Sequence, residues 1–460
     1  MPVDLRRLGA AAPIVYLLTA LPVVLLLSFL TPPFQVPDEG SHFRRAVHIL
    51  GGGIIGKRVS DTMIGGAITA AAVDVDAPTY PLLGHPERRV DPAMIAAMRG
   101  ARWSQERRFQ AFGASVIYPP AFYLPAVAGL ALGRALDLTL VDSASVARAV
   151  NGVLVVVLGT LALAAARRSR PLLFVVLSLP ASLYLAAGIT QDGMLLASVV
   201  LAAALVCRAA AEGGQLSSVK RLAVGVLLGT AVAARLPYAP LLALLLTRPF
   251  RGAGLRGMAP FAVAMLIASA WIAFGLIPML APYRADEGVS PPGQIAFLLE
   301  HPGSWLRIAL DTLSAHGARH LREFVGILGW GDAPLPAAAY WLAAIAVATA
   351  SAIAACGESG TLGRGDRAML AGAALCSGGA IYGALYLTWT AVGAPAVEGV
   401  QGRYFLPLAA MLSIAVPALT RLPPAVRTQR AAVAGWVLLF TLAVANSCMV
   451  PYVVYARFYG

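Results

Sequence analysis

A cluster of acidic and basic side chains follows the first long apolar run of this 460-residue chain. The stretch TPPFQVPDEGSHFRRAVHIL, residues 31–50, places Asp38 beside Glu39 and His42 four residues after Asp38. Carboxylates and an imidazole in one short segment are typical of general acid and base chemistry. On a helix, Asp38 and His42 would lie on one face, because residues four apart are neighbours there. The segment therefore predicts a reactive site where the apolar run ends.

Further polar residues flank apolar runs much later in the chain. Gln191 and Asp192 begin one run, Arg235 lies between two short runs, and Gln401 and Arg403 precede another. Arginines hold phosphate oxygens through charge-assisted hydrogen bonds, so these two would suit an anionic substrate. Four separate stretches would have to meet at one place for these side chains to act together.

The elements that must position them are set by composition. The chain is 59% hydrophobic and 12% charged, with many apolar runs of the roughly 20 residues that cross a hydrocarbon core about 30 Å thick. These runs are too long for barrel strands, so we predict an all-α polytopic membrane protein. The first run, 10–30, ends in Thr-Pro-Pro without a small-residue cleavage site, and we expect a retained anchor.

Basic residues set the expected orientation. Six basic clusters lie in short loops, which the positive-inside rule makes cytoplasmic, so the net charge of +13 indicates topology and no nucleic-acid partner. All six agree only if Tyr118–Leu136 does not span. That segment contains Pro119, Pro120 and Pro125, and we expect a juxtamembrane helix on the outer face.

Eleven transmembrane helices result, with the N-terminus cytoplasmic and the C-terminus outside. The expected spans are 10–30, 145–166, 171–188, 192–210, 220–235, 237–248, 258–280, 335–356, 367–389, 404–420 and 430–452. Two long outer loops, 31–144 and 281–334, carry juxtamembrane helices, and the whole chain, 1–460, forms one domain. Every polar position named above then falls on the outer face.

Each of these residues also has an ordinary structural interpretation. Asp38 and Asp192 could be N-caps of the helices that follow them. His42 could be a hydrogen-bond partner of a neighbouring side chain. Arg235 and Arg403 could extend to the membrane interface, as arginines near span ends commonly do.

Several motifs together resemble a known family. They are PPFQVPDEGSHFRRA (32–46), YPPAFYLP (118–125), Arg148 with Asn151, ITQDG (189–193), GILGWGDAPLP (326–336) and VQGRYFLPL (400–408). Together they resemble the bacterial membrane-protein family named domain of unknown function 2142, over nearly the whole chain. That family is similar to the GT-C glycosyltransferases, which take a sugar from a polyprenyl-phosphate carrier at the outer face of the cytoplasmic membrane.

The resemblance implies a GT-C-like fold and roles for particular residues. An acidic residue early in the first outer loop is catalytic in GT-C enzymes, which corresponds to Asp38 as base with Glu39 as its partner or substitute. Arg403 and Arg235 would bind the donor phosphate. With a single base, hexosyl or pentosyl transfer would invert the anomeric centre. The expected supporting or substrate-binding residues are His42, Tyr118, Asp192, Gln401, Tyr404, Trp330 and Asp332.

The expected partners are a polyprenyl-phosphate sugar, a glycan, lipid or protein acceptor, and membrane lipid. No cofactor is expected, although Asp38, Glu39 and Asp192 have the oxygen ligands that Mg²⁺ or Mn²⁺ would need. Two other function classes compete with the enzyme. A transporter or flippase of lipid-linked glycans would place ionisable groups near mid-membrane. A non-catalytic scaffold for envelope polysaccharide assembly would keep the fold and tolerate loss of Asp38.

Overall fold

A computed structural model describes residues 5–60, 62–213, 216–251, 255–280, 284–356, 362–415 and 429–460. Most described residues are helical. The α-helices, in chain order, are α1 (Leu5–Leu30), α2 (Glu39–Leu50), α3 (Pro92–Arg99), α4 (Gly113–Val116), α5 (Leu124–Ala135), α6 (Leu140–Ala165), α7 (Arg170–Ser178), α8 (Pro180–Ala186), α9 (Gln191–Ala211), α10 (Ser218–Ala234), α11 (Arg248–Arg251), α12 (Leu255–Trp271), α13 (Pro291–Glu300), α14 (Ser304–Val325), α15 (Ala337–Cys356), α16 (Arg364–Thr388), α17 (Leu406–Ala415) and α18 (Gln429–Phe458). A π-turn, Ile272–Leu276, continues α12, and 3₁₀ helices cover Ala70–Ala72, Ala77–Leu82, Pro120–Tyr123, Leu236–Leu246, Ile277–Met279, Ala285–Glu287 and Gly402–Phe405.

Seven helices in the described part of the chain are long and apolar enough to cross a membrane. They are Leu8–Leu30, Leu140–Ala165, Gln191–Ala211, Arg256–Met279, Ala337–Ala355, Arg364–Thr388 and Arg430–Phe458. All seven lie at predicted spans. The chain is therefore a multi-pass, predominantly α-helical membrane protein.

The span predicted at 171–188 is interrupted, because two short helices, α7 and α8, cover it. Leu179 between them is extended (φ −61°, ψ 143°), the backbone that a residue before proline prefers, and Pro180 begins α8. Asn446 donates to the Ser178 carbonyl at 2.9 Å, and the Ser182 hydroxyl donates to the Val176 carbonyl at 2.6 Å. These bonds satisfy carbonyls at the break, which lies in a completely buried segment where lipid cannot reach the backbone.

The other three predicted spans are also short. Helix α10 has 17 residues, and the next span is the 11-residue 3₁₀ helix Leu236–Leu246, with the extended Arg235 between them. The span predicted at 404–420 begins as a 3₁₀ helix and continues as α17, and its last residues, 416–420, lie outside the described residues. The eleven-span topology stays a prediction.

The predicted first outer loop, 31–144, contains a small β-sheet that the sequence-based expectation of helices missed. Strands β1 (Lys57–Arg58), β2 (Ile64–Thr69) and β3 (Arg107–Ala111) form an antiparallel sheet in the order β1-β2-β3. Neither β1 nor β3 has a buried residue, and β2 contains Gly65 and Gly66, so the alternation of apolar residues that marks a strand is weak. A second antiparallel pair, β4 (Ile327–Leu328) with β5 (Ala333–Pro334), encloses a turn in the predicted second outer loop, 281–334.

Helix α5 occupies the segment expected to be juxtamembrane. Its 12 residues rise about 18 Å, which is too short for a hydrocarbon core of about 30 Å. It packs closely on α6, where a Cβ added at Gly129 would lie 2.4 Å from the Ala147 Cα. Only glycine permits this approach. The length of α5 supports the prediction that Tyr118–Leu136 does not span.

The described residues form three hydrophobic cores, the least extensive of which is a group of four buried side chains around Tyr386. A large one fills the helix bundle, and a smaller one joins α2, the first sheet, α5 and the beginning of α6. Phe43, Val47, Ile68, Phe112 and Leu130 are among its buried side chains. The smaller core fixes the position of α2. It therefore also fixes Asp38, which lies in the short segment between α1 and α2.

Candidate functional site

Asp38 lies immediately before α2 in a left-handed backbone conformation, φ 62° and ψ 6°. The N-cap interpretation fails, because its side chain makes no capping hydrogen bond in the structure as described. Phe34 is also left-handed, φ 63°, which is a true outlier for a bulky residue. Such strain persists only where surrounding structure enforces it, and it is concentrated at functional sites. The Asp38 side chain is 44% exposed.

Four side chains from distant parts of the sequence form one ionic chain. Arg403 donates from Nη2 to Asp38 Oδ2 at 2.6 Å, and its Nε lies 3.4 Å from Asp192 Oδ2. Arg235 donates to Asp192 Oδ1 at 2.7 Å. The order Asp38–Arg403–Asp192–Arg235 alternates in charge, so each internal residue has an opposite charge on both sides.

The contacts of Asp192 and of the two arginines exclude their ordinary interpretations. Asp192 is in the first turn of α9, whose N-cap is Thr190, and its carboxylate binds arginine instead of capping the helix. The Arg403 and Arg235 side chains are 9% and 16% exposed. Both arginines therefore end in ion pairs inside the protein and do not extend to an interface.

Tyr404 and its neighbours hold the arginines in place. The Arg235 guanidinium lies over the Tyr404 ring at 4.2 Å, and that of Arg403 lies 5.6 Å from the same ring. The Gly402 amide donates to Glu323 Oε2 at 2.8 Å, and a Cβ on Gly402 would be 2.0 Å from the His320 carbonyl oxygen. The segment around Arg403 is thus packed tightly against α14.

His42 is buried beside two tyrosines. Its ring stacks on Tyr118 with centroids 5.8 Å apart, and its Nδ1 lies 2.5 Å from the Tyr123 hydroxyl. Burial lowers the pKa of His42 from 6.5 to about 4 against the opposing charges of Asp38 and Asp192. Burial also raises the pKa of Tyr118 to about 12. Both groups are therefore neutral at physiological pH, as expected of a hydrogen-bonding support.

Glu39 points away from Asp38 into the protein interior. It is fully buried in an ion pair with Arg148, whose Nε donates to Glu39 Oε1 at 2.7 Å. The Ile189 amide donates to the same oxygen at 2.9 Å. Arg148 also donates to the backbone carbonyls of Thr31 and Pro32 at 2.7 and 3.0 Å. The pair ties the segment that contains Asp38 to helix α6 and to the turn before α9.

Asp38 borders two cavities. The larger, about 360 Å³, is also lined by Arg403, Gln401 and Trp330, whereas Arg235 is not part of its lining. The smaller, about 160 Å³, shares Asp38 and Trp330 with the larger one. Asp38 Oδ1 accepts no hydrogen bond from any described residue, so it is open to a ligand.

The polar face of α14 was missed by the sequence analysis. His316, Arg319, His320 and Glu323 all line the larger cavity. Arg319 donates to Glu323 Oε1 at 2.8 Å. Their spacing, i, i+3, i+4 and i+7, is the signal that would have found them, because it places all four on one helical face.

Two expected residues on the second outer loop have different placements. The Trp330 indole nitrogen donates to the Phe34 carbonyl at 3.3 Å, which holds the ring between the cavities. Asp332 lies outside the lining of both cavities as the described residues form them, in a buried ion pair with Arg457 of α18 at 2.7 Å. Arg457 also donates to the Leu82 carbonyl at 2.8 Å, so Asp332 and Arg457 together hold both long loops to the last helix.

Among the described residues, no three or more His, Cys, Asp or Glu side chains are grouped so that they could hold a metal ion. Of the three carboxylates expected to offer oxygen ligands, Glu39 and Asp192 contact arginine through both oxygens and Asp38 through one. Ligand oxygens committed to guanidinium groups are poor candidates for Mg²⁺ or Mn²⁺.

The family model described as "Predicted membrane protein (DUF2142)" matches residues 21–412. The chain belongs to this family. Neither a curated protein nor a solved structure matches it. The matched part of this DUF2142 protein contains the whole ionic chain and the lining of both cavities. The family description names a membrane location and no activity.

Proposed function

We propose that this DUF2142 protein is a membrane glycosyltransferase at the outer face of the bacterial cytoplasmic membrane. It transfers a sugar, with inversion, from a polyprenyl-phosphate donor to a glycan, lipid or protein acceptor. One observation supports this most strongly: Asp38 stands between two cavities with Oδ2 held by Arg403 and Oδ1 open. A base between two substrates needs this arrangement, in which one oxygen is oriented and the other is free.

The larger cavity suits a phosphate attached to a lipid. Its lining combines the guanidinium groups of Arg403 and Arg319 with apolar walls formed by Leu185, Ile327 and Val400, and it also includes the carboxylates of Asp38, Glu323 and Glu398. Guanidinium groups bind phosphate oxygens in pairs, and apolar walls accept the first units of a hydrocarbon chain. Because Asp38 follows directly after α1, the site would lie at the depth where a carrier phosphate leaves the bilayer.

The proposed reaction is a direct displacement. An acceptor hydroxyl attacks the anomeric carbon and forms a new C–O bond, while its proton passes to Asp38 Oδ1. The bond from the anomeric carbon to the phosphate oxygen breaks, and its electron pair leaves with the polyprenyl phosphate. Arg403 and Arg319 would stabilise the charge that develops on this oxygen. Proton transfer to a positioned base contributes about 10²–10⁴ in rate.

The surroundings of Asp38 favour inversion. A retaining enzyme needs a second carboxylate as nucleophile, roughly 5 Å from the first. Glu39 is turned inward to Arg148, and the other carboxylates near the larger cavity, those of Asp192, Glu323 and Glu398, all accept hydrogen bonds from arginines. In this proposal Glu39 anchors the loop, and Arg235 and Asp192 position Arg403 without touching substrate.

The test is a transfer assay with protein purified in lipid nanodiscs and a panel of radiolabelled polyprenyl-phosphate hexoses and pentoses, each with envelope glycan acceptors. We expect one donor to give labelled product of inverted configuration. Failure of all donors, together with movement of intact lipid-linked sugar across proteoliposomes, would replace the enzyme by a flippase. If neither transfer nor transport is detected, the non-catalytic scaffold is the remaining function class.

A further inference from the structure

The smaller cavity beside Asp38 is a separate polar compartment. It lies against α2 and includes Arg44, Asp76 and Tyr80, none of which the proposed donor site uses. Its volume of about 160 Å³ is below the roughly 300–1,000 Å³ of pockets for drug-sized ligands. The compartment has room for one small ring and excludes a lipid chain.

Its floor is an ion pair between Arg44 and Asp76, whose side chains are 9% and 4% exposed. Arg44 also donates to the Tyr80 hydroxyl at 3.4 Å, and its buried Nε has no hydrogen-bond partner among the described residues. A buried donor of this kind is costly unless a ligand or water satisfies it. The ion pair has no net charge, so the compartment suits a neutral ligand better than a phosphate.

The walls are aromatic. Phe34, Tyr80 and Trp330 line the same compartment. A sugar ring has apolar C–H faces that pack on aromatic rings, and hydroxyls around its edge that bond to charged and hydroxyl groups. Both requirements are met here, and the free Oδ1 of Asp38 is at the boundary where a sugar hydroxyl would be deprotonated.

We infer that the smaller cavity binds the terminal sugar of the acceptor, with Arg44, Asp76 and Tyr80 as specificity-determining contacts. That the bound sugar is the acceptor rests on the proposed function. That the ligand is a neutral sugar ring rests only on the residues of the smaller cavity. The acceptor of the reaction is then a glycan or glycolipid, and a protein side chain is excluded as first acceptor.

A substitution at Gly40 would change the shape of this cavity. A Cβ at Gly40 would lie 2.1 Å from Asp76 Oδ2, so Gly40→Ala must displace Asp76 from the floor. Gly372 on α16 has open space around an added Cβ and makes Gly372→Ala the matched control. Tyr80→Phe removes one hydroxyl from a half-exposed residue, and Arg44→Lys keeps the charge while losing the unpartnered Nε.

The first readout is kinetic. We expect Arg44→Lys and Gly40→Ala to raise the acceptor KM about 10-fold or more, and Tyr80→Phe about 2- to 10-fold. The donor KM should stay within about twofold in all three variants, and Gly372→Ala should match the wild type. A rise in donor KM with unchanged acceptor KM would assign the cavity to the donor and overturn the inference.

The second readout needs no activity. Saturation-transfer NMR would follow methyl glycosides of common hexoses and pentoses with protein in nanodiscs and no donor. We expect transfer to at least one glycoside, reduced in Tyr80→Phe and Gly40→Ala and intact in Gly372→Ala. Glycoside binding without any transfer activity would sink the proposed function and leave the sugar site standing. Binding by none of the glycosides, or equal binding in all variants, would remove the sugar site.

Discussion

Replacing Glu39 with glutamine should destabilise the protein strongly while leaving its shape almost unchanged. Glu39 is fully buried, and its partner Arg148 is 2% exposed, so the pair is shielded from water. The amide can still accept the Ile189 N–H, but its NH₂ group would face the Arg148 guanidinium, where a carboxylate oxygen now accepts. The guanidinium then keeps its charge without a counter-charge.

The magnitude follows from the burial. Removing one partner of a buried ion pair costs about 3–5 kcal/mol. With an unfolding entropy of about 2.1 cal/mol/K per residue, a chain of 460 residues would then melt about 3–5 °C lower. The assay is thermal unfolding of the purified protein in a mild detergent, followed by size-exclusion chromatography with fluorescence detection.

A matched control is a glutamate whose ion pairs are exposed to solvent. Glu212 pairs with Arg167 and Arg208, and these side chains are between 38% and 47% exposed. Glu212→Gln should therefore cost no more than about 1 kcal/mol. Changing both Glu39 and Arg148 to methionine should recover part of the stability lost in Glu39→Gln. If Glu39→Gln and Glu212→Gln have the same melting temperature, Glu39 does not anchor the loop, and a direct catalytic role for Glu39 must be reconsidered.

Four further results are expected. Arg403→Lys should lower kcat/KM for the donor about 10- to 100-fold, because lysine cannot contact Asp38 and Asp192 from two edges of one group; an unchanged value would remove Arg403 from the site. The pKa of His42 is about 4 when folded against 6.5 ordinarily, so the unfolded chain takes up a proton first as the pH falls. Stability should be full above pH 6.5 and fall by up to about 3 kcal/mol towards pH 4, a loss that His42→Gln would not show in melting curves at several pH values. EDTA should leave transfer unchanged, whereas loss of activity restored by Mg²⁺ or Mn²⁺ would require a metal. Leu136→Cys, at a 60% exposed position, should react with an impermeant thiol reagent from outside, and Gly363→Cys only after permeabilisation; the reverse would invert the topology.

The general location of the site was predictable, but its internal pairing was not. Basic loops placed Asp38, Asp192, Arg235 and Arg403 on one face, and the structure joins these four side chains in one ionic chain. Which arginine binds which aspartate depends on how the helices pack, and no local pattern encodes it. The side chains of Asp38 and Glu39 point in different directions because the backbone at Asp38 is left-handed. Aspartate tolerates this conformation, but an aspartate in the sequence does not predict it.

Helix breaks and short strands were the weakest part of the prediction, for different reasons. Pro180 at the break between α7 and α8 was visible in the sequence, but hydropathy alone treats the two halves as one apolar run. The strands around Gly65 and Gly66 have too little alternation to be recognised. The polar face of α14 was legible in the spacing of His316 to Glu323 and was overlooked because the segment lies outside the apolar runs.

The most direct test of the account is the initial rate of sugar transfer by Asp38→Asn beside the wild type. Asp38 is 44% exposed, so its ion pair with Arg403 contributes at most about 1 kcal/mol and the variant should fold normally. We predict that transfer falls about 10²- to 10⁴-fold, because the amide cannot accept the proton of the acceptor hydroxyl. Near wild-type turnover by folded Asp38→Asn would contradict the assignment of Asp38 as the base, and with it the proposed mechanism.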